Sequence, residues 1–434
     1  PGGEPPVPRL PAGGAPSEAG PDRLERRLPR APRYTRLLVP YRFAVLALVL
    51  AVQAAATLPT IGLPALAPIL REDLGLSRMA AGSLVSGFYV GSLLVGVPAG
   101  YLADRLGVRW TLAVGQALIA ACVALLAGAG SAAVVPACIA AAGFGWAIVN
   151  PTSTKAVIAW FPAAARATVV GVKQMGLPLG GAIGAWLLPR LADAIGWRGA
   201  LRLAAAAVVA VALATALAYR ERVEPGATAG TAPDPGAPWR LLRDRNLWRV
   251  SVVTGLFAAV QTSWTGYIVL FLTEAAGRDV VGAARFLALA NVAGIAGRIG
   301  FGALSDRLFG GRRRIVLALA GAGSGLAGAA TALVGPSTPD LWLALLALVF
   351  GLVGIGWNGV QLTLLAELAG KALAGTAVGL GLALSALGVI LGPPAFGWVV
   401  DAAGGWGPAW LGLAAAIGVA LVLLARVREP EREL

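Results

Sequence analysis

Gly100–Trp110 reads Gly-Tyr-Leu-Ala-Asp-Arg-Leu-Gly-Val-Arg-Trp, a tight charged turn wedged between two long apolar runs. A related stretch, Gly302–Arg314, reads Gly-Ala-Leu-Ser-Asp-Arg-Leu-Phe-Gly-Gly-Arg-Arg-Arg, so Asp104-Arg105-Leu106 returns as Asp306-Arg307-Leu308. Each copy lies between the second and third apolar runs of its half, which divides the chain into two related halves. Gly100 and Gly107 let the backbone turn and approach a neighbour closely. Asp104 can pair with an arginine or cap a helix N-terminus, and Arg105 and Arg109 fall at lipid-headgroup level.

Composition sets the solvent. Hydrophobic residues make up 58% of the chain and charged residues 13%, with a mean hydropathy of +0.77, too apolar for an ordinary water-facing surface. An integral membrane protein follows. There are no histidines, and the two cysteines, Cys122 and Cys138, both sit inside apolar runs. Disulfide frameworks, zinc sites and imidazole catalysis are thereby removed. The formal charge of +14 points to nucleic acid at first sight, but the basic residues lie between apolar runs rather than on a soluble face. The positive-inside rule accounts for them better.

Residues 1–40 form a basic arm, rich in Pro, Gly, Ala and Arg without periodicity up to about residue 36, and read as disordered. Apolar segments long enough to cross a bilayer then follow at 42–64, 80–102, 111–130, 132–160, 167–190, 199–219, 249–272, 280–303, 313–334, 340–366, 373–400 and 408–427. The expected fold is an all-α membrane protein with twelve transmembrane helices in two pseudo-symmetric six-helix bundles, 41–220 and 248–428. Between them 221–247, with Pro225, Pro233, Pro235 and Pro238, reads as a cytoplasmic linker, and 429–434 as a short tail. Most of the 35 Lys and Arg fall on the side of the termini and linker, which places both termini in the cytoplasm, most simply at a bacterial plasma (inner) membrane.

The repeat extends into the spans. Ala51-Val52-Gln53 with Thr57 in span 1 returns as Ala259-Val260-Gln261 with Thr265 in span 7. Gly143, Gly145, Trp146 and Asn150 in span 4 return as Gly354, Gly356, Trp357 and Gln361 in span 10. Gln53 and Thr57 share a helical face, as do Gln261 and Thr265, and Trp146 and Asn150. An amide facing lipid is costly, so these faces point into the bundle or a wet cavity, unless they serve as interhelical bonds. Span 6 around Leu203–Leu217 and span 12 over Leu411–Ala425 carry no amide or charge, and span 9 beyond Arg314 has only Ser324 and Thr331, so these three face lipid.

The paired turns and the two halves resemble the major facilitator superfamily of secondary transporters over about residues 41–428. That resemblance implies that spans 1, 4, 7 and 10 line a central cavity, with 3, 6, 9 and 12 outside. It also implies a monomer, no cofactor and no enzymatic activity. The sequence departs from the family where Val108 and Trp110 flank Arg109, and where an extra residue precedes Gly311. Leu177 separates Gly176 from Pro178 ahead of Gly180-Gly181, unlike the family's antiporter signature, which argues against drug antiport.

Three cations, Arg298, Lys173 and Lys155, are read as lying inside spans, and the other Lys and Arg as belonging to span ends and junctions. Arg298 lies nine residues before Arg307, about 13 Å of helix, so its head does not easily reach the interface. Asn291 and Gly294 share its face. Lys173 lies seven residues past Arg166, about 10 Å, and heads a small-residue stripe of Gly176, Gly180 and Gly184. Lys155 near Phe161 reads as a snorkelling residue. Burying each cation costs around 3 kcal/mol on insertion scales, and no Asp or Glu sits mid-span to neutralise it.

Arg298, four residues before Gly302, resembles the span-8 arginine that binds the carboxylate in monocarboxylate transporters, and Gly171–Arg198 resembles span 5 of cyanate-permease-type anion transporters. A secondary transporter of a small organic or inorganic anion is therefore expected. Arg298 and Lys173 are the expected counter-charges, with Gln53, Thr57, Trp146, Asn150, Gln261, Thr265, Asn291, Trp357 and Gln361 as orienting groups. Gly100, Asp104, Arg105, Gly107, Arg109, Gly302, Asp306 and Arg307 form gating loops. A cation or drug exporter would carry an acid in span 1 or 4, and none is present. A membrane sensor or enzyme would need a nucleophile, a metal cluster or a soluble domain. Gly-rich phosphate loops are also missing, which removes ATP as the driving force.

Overall fold

The computed structural model describes residues 33–222 and 243–429, with side chains from residue 41 on except 95–105, 163, 164, 167, 371, 372 and 375. Most of the predicted arm and linker, and the side chains of Asp104 and Arg105, lie outside the described residues. Contacts group the chain into Pro1–Phe43, which contributes the opening turns of the first helix, and Ala44–Leu434, which holds the rest.

The helices are α1 Arg33–Ile61, α2 Ala67–Leu74, α3 Arg78–Gly82, α4 Leu84–Ala127, α5 Val134–Trp160, α6 Ala163–Gln174, α7 Gly176–Ala218, α8 Arg245–Glu274, α9 Val280–Arg307, α10 Arg313–Thr331, α11 Asp340–Phe350, α12 Asn358–Ala402 and α13 Trp406–Ala425. Ten segments among the described residues are long and apolar enough to cross a membrane. One of them, Thr168–Ala218, contains the break at Gly196 and makes two spans, and the second span shows as the shorter apolar helix Leu84–Leu94. The twelve-span reading stands, and an even number of spans puts both ends on one side, called here the terminal face.

The junctions differ from the expectation. The charged turn around Gly107 is not a loop: α4 stays helical on both sides and only Gly107 leaves it, at φ 73°, ψ 170°. Gly196 (φ 75°, ψ 155°) and Gly370 (φ 70°, ψ 170°) break α7 and α12 in the same way. That region of backbone space is essentially reserved for glycine, so one residue does the work of a loop. In the second half the matching junction is longer, with Gly310 and Gly311 both at positive φ.

Each half repeats its packing through glycine. A Cβ on Gly180 of span 5 would lie 2.1 Å from Thr57 Oγ1 and 2.2 Å from the Ala54 carbonyl of α1. Likewise a Cβ on Gly388 of span 11 would lie 2.0 Å from the Gly255 carbonyl of α8. Spans 2 and 4 meet at Gly91 and Gly143, spans 8 and 10 at Gly297 and Gly351, again at 1.8–2.2 Å from a facing carbonyl. Backbones this close gain dispersion that lipid tails do not supply.

A second repeat was not legible in the sequence. The Arg109 amide, at the start of span 3, donates to Glu221 after span 6, and the Arg314 amide, at the start of span 9, donates to Glu429 after span 12. A carboxylate on unsatisfied N-terminal amides is favourable, and here each ties the third span of its half to the sixth. Leu213 and Leu217 of span 6, Leu326 of span 9 and Val419 and Val422 of span 12 are exposed, as lipid-facing positions require.

At the face opposite the termini the halves are clamped. Glu274 at the end of α8 accepts from Arg71 (2.9 Å) and Arg78 (2.7 Å), and Asp401 lies 3.9 Å from Arg78. Tyr267 Oη donates towards the carbonyls of Met79 (3.2 Å) and Pro393 (3.0 Å). The Tyr267 ring fills the space a Cβ on Gly82 would need, and its hydroxyl fills that of Gly397.

Candidate substrate cavity

Where spans 1, 2, 5, 7, 8, 10 and 11 converge, a cavity of about 100 Å³ is lined by Tyr89, Gln261, Thr265, Asn291, Arg298, Trp357, Asn358 and Ser385 among others. The wall from span 10 is shaped by a π-helical segment, Gly351–Ile355, just before Trp357 and Asn358. Such an interruption changes the helical phase and recurs at functional sites. Gly351 and Gly354 leave room for it.

Gln261 Oε1 accepts from Trp357 Nε1 (3.0 Å) and Asn358 Nδ2 (3.4 Å). Its acceptor is thus committed, and the NH2 end of the amide remains to donate. Arg298 donates through one Nη to the Gln174 carbonyl (3.1 Å), reaching from the second half to the end of α6 in the first. Its Nε is buried and has no hydrogen-bond partner among the described residues. Arg298 is the only charged side chain among those that line this cavity.

Behind it runs a polar chain in the first half. Gln53 Nε2 donates to Gln174 Oε1 (3.3 Å) and Asn150 Oδ1 (3.1 Å). Lys173 Nζ donates to Asn150 Oδ1 (2.8 Å), the Asn150 carbonyl (3.0 Å) and Thr154 Oγ1 (3.0 Å). All three ammonium protons are therefore placed on neutral acceptors, and Lys173 is fully buried. Thr57 Oγ1 donates to the carbonyls of Gln53 (2.9 Å) and Gly176 (3.2 Å).

Of the residues expected at the site, Arg298, Gln261, Thr265, Asn291 and Trp357 come together around the cavity. Gln53, Thr57, Asn150 and Lys173 form the chain behind it instead. Trp146 packs on Phe88, with centroids 5.9 Å apart, as Trp357 packs on Phe257 (5.4 Å). Gln361 is buried, its Nε2 is without a partner among the described residues, and it faces Gly381 of span 11. At the second charged junction Arg313 binds Asp306 and Glu367 and donates to Ser305 Oγ (2.8 Å).

Sequence reasoning missed Tyr89, Gln174, Asn358 and Ser385. Gln174 was the most accessible of these, since it follows Lys173 directly and is a mid-span amide. Tyr89 and Ser385 have no partner in the internal repeat and looked like ordinary span residues.

A twelve-span bundle with a small polar cavity at the contact between its two halves defines a secondary transporter. The chain belongs to the Major Facilitator Superfamily, whose sequence pattern matches residues 44–392. It is 28% identical over 362 residues to an uncharacterised MFS-type transporter of Mycobacterium tuberculosis (strain ATCC 25618 / H37Rv), covering 83% of this chain and 80% of that one. It is likewise 28% identical over 374 residues to the probable sulfoacetate transporter SauU of Cupriavidus necator, covering 81% and 86%. Its fold is shared with a bacterial homologue of the human lysosomal transporter Spinster in an inward-facing conformation, at a TM-score of 0.70 and 19% identity over 89% of this chain and 95% of that one.

Proposed function

We propose that this chain carries a small organic anion, with a carboxylate or sulfonate head, across a bacterial plasma membrane by alternating access. It works as a monomer, with 41–220 rocking against 248–428 about the cavity and both termini cytoplasmic. The observation that carries this reading is Arg298: the one charge lining the cavity, with its Nε turned to no partner among the described residues. A planar guanidinium suits a carboxylate or sulfonate. Gln261, Asn291 and Asn358 orient the rest of the solute, and the kinship with a transporter named for sulfoacetate favours the same class of substrate. Uptake of labelled small carboxylates and sulfonates into proteoliposomes tests it. Saturable uptake of at least one of them supports the reading, whereas saturable uptake of organic cations alone would overturn it.

In this scheme Lys173 acts from behind the cavity, as a fixed positive charge joined to Arg298 through Asn150, Gln53 and Gln174. At an effective dielectric of 20, a unit charge that acts on the anion from beyond direct contact contributes on the order of 1 to 1.5 kcal/mol. Lys173→Met should therefore weaken apparent affinity about tenfold. It should leave thermal stability unchanged or raise it, because a buried cation without an acid partner is itself costly. A lower melting temperature with unchanged affinity would make Lys173 a structural staple instead.

The clamp at the face opposite the termini, together with the loops carrying Gly100, Asp104, Arg105, Gly107 and Arg109 and their second copy at Gly302, Asp306 and Arg307, governs the conformational exchange. Glu274→Gln removes the charge that Arg71 and Arg78 share. Half-exposed pairs contribute about 0.5–1 kcal/mol each, so opening at this face should rise about five- to thirtyfold. Thr265→Cys in that background should react faster with a membrane-impermeant thiol reagent added from that face. An unchanged rate would remove Glu274 from the gate.

A further inference from the structure

A second cavity, of about 580 Å³, lies outside the polar site and is lined almost wholly by apolar groups. Its walls are Leu76 to Val90, from the turn before α3 into α4, Ala132 to Ile139 at the start of α5, and Ile390 and Pro394 of α12. It therefore crosses the contact between the two halves. Its volume is that of an ordinary small-molecule site, yet its few polar lining groups are serines, and Ser86 Oγ is already donating to the Val389 carbonyl (2.8 Å). Nothing here would hold a charged solute.

Depth and rim say what does fit. From Ala80 to Val90 the groove follows about 15 Å of helix at 1.5 Å per residue, half of a hydrocarbon core about 30 Å thick. That is one leaflet, starting at the face opposite the termini. Val90, Val134 and Leu391 beside it are exposed, so the mouth is apolar and opens sideways. At the shallow end, next to the lining residue Ser77, Arg78 holds Glu274 through its Nε (2.7 Å) and its side chain is still 38% exposed, so the rest of its guanidinium is offered at the level of a phosphate group. We propose that this groove is a lipid site, which takes one acyl chain of a phospholipid from that leaflet with its phosphate near Arg78. Because α4 and α5 form one wall and α12 the other, the occupied groove exists only while this face is closed, and lipid held there favours the closed state.

The test is photolabelling in proteoliposomes of phosphatidylethanolamine and phosphatidylglycerol doped with a phospholipid bearing a diazirine on one acyl chain, read by peptide mass spectrometry. Exposed α13, with Leu411, Val419 and Val422, reports ordinary lipid contact in the same sample. Labelling of 76–90, 132–139 and 390–394 should exceed that of α13 at least fivefold. It should fall to the α13 level in the groove-filling variants Ala133→Phe and Val90→Trp, with α13 labelling unchanged. A water-soluble diazirine amphiphile added without the lipid probe should not reproduce the pattern. Labelling no stronger than that of α13, labelling insensitive to both fillings, or equal labelling by the soluble amphiphile would each overturn the assignment.

Discussion

Arg298→Ala should abolish saturable transport. Truncating one member of a buried charge pair costs about 2–5 kcal/mol, a factor of about 30 to several thousand at tenfold per 1.4 kcal/mol. The guanidinium also holds the Gln174 carbonyl, so its loss frees a contact between the halves as well as a substrate contact. Arg298→Lys separates the two effects. An ammonium keeps the charge but offers no fork, and it cannot both hold Gln174 and present a second donor in the plane of an anion. Uptake measured for both variants at matched insertion should show Arg298→Lys far below wild type and only marginally above Arg298→Ala. Near-normal uptake by the lysine variant would mean that a point charge suffices and that the fork is irrelevant.

Gly180→Val should remove the protein from the membrane fraction or leave it unfolded in detergent. Its Cβ would lie 2.1 Å from Thr57 Oγ1 and 2.2 Å from the Ala54 carbonyl, and the second of these is backbone and cannot swing aside. Relief requires span 5 to lift off α1. That breaks the bond from Thr57 to Gly176 and draws Gln174 away from Gln53, so the polar chain behind Arg298 fails together with the packing. Overpacking alone costs about 1–3 kcal/mol, occasionally more, and the lost buried hydrogen bonds add about 1 kcal/mol each. Gly412→Val is the control, since a Cβ there meets nothing within 4 Å. Its thermal midpoint should stay near wild type. Equal midpoints for all three proteins would refute the close approach of span 5 to α1.

Much of the architecture was legible because bilayer physics acts on single segments: length, hydropathy and the absence of amides in spans 6 and 12 are local properties. The internal repeat carried the rest, and Gln53 with Gln261 does anchor equivalent contacts, between spans 1 and 4 and between spans 7 and 10. What the chain order could not reveal is which neighbour a polar group chooses. Lys173 and Arg298 have similar depth, yet Lys173 is turned to the acceptors of span 4 and only Arg298 meets the cavity. Gly107 shows the same limit at a junction. Its charged surroundings suggested a loop, while the positive φ that makes a loop unnecessary is a tertiary choice.

The anion site is tested most directly by equilibrium binding to purified protein. A radiolabelled carboxylate or sulfonate that shows saturable uptake would be titrated onto wild type and Arg298→Ala at equal thermal stability. Wild type should bind one molecule per chain, and Arg298→Ala should bind at least about thirtyfold more weakly. Equal affinity in the two proteins would contradict the account and leave Arg298 as a residue that only joins the halves.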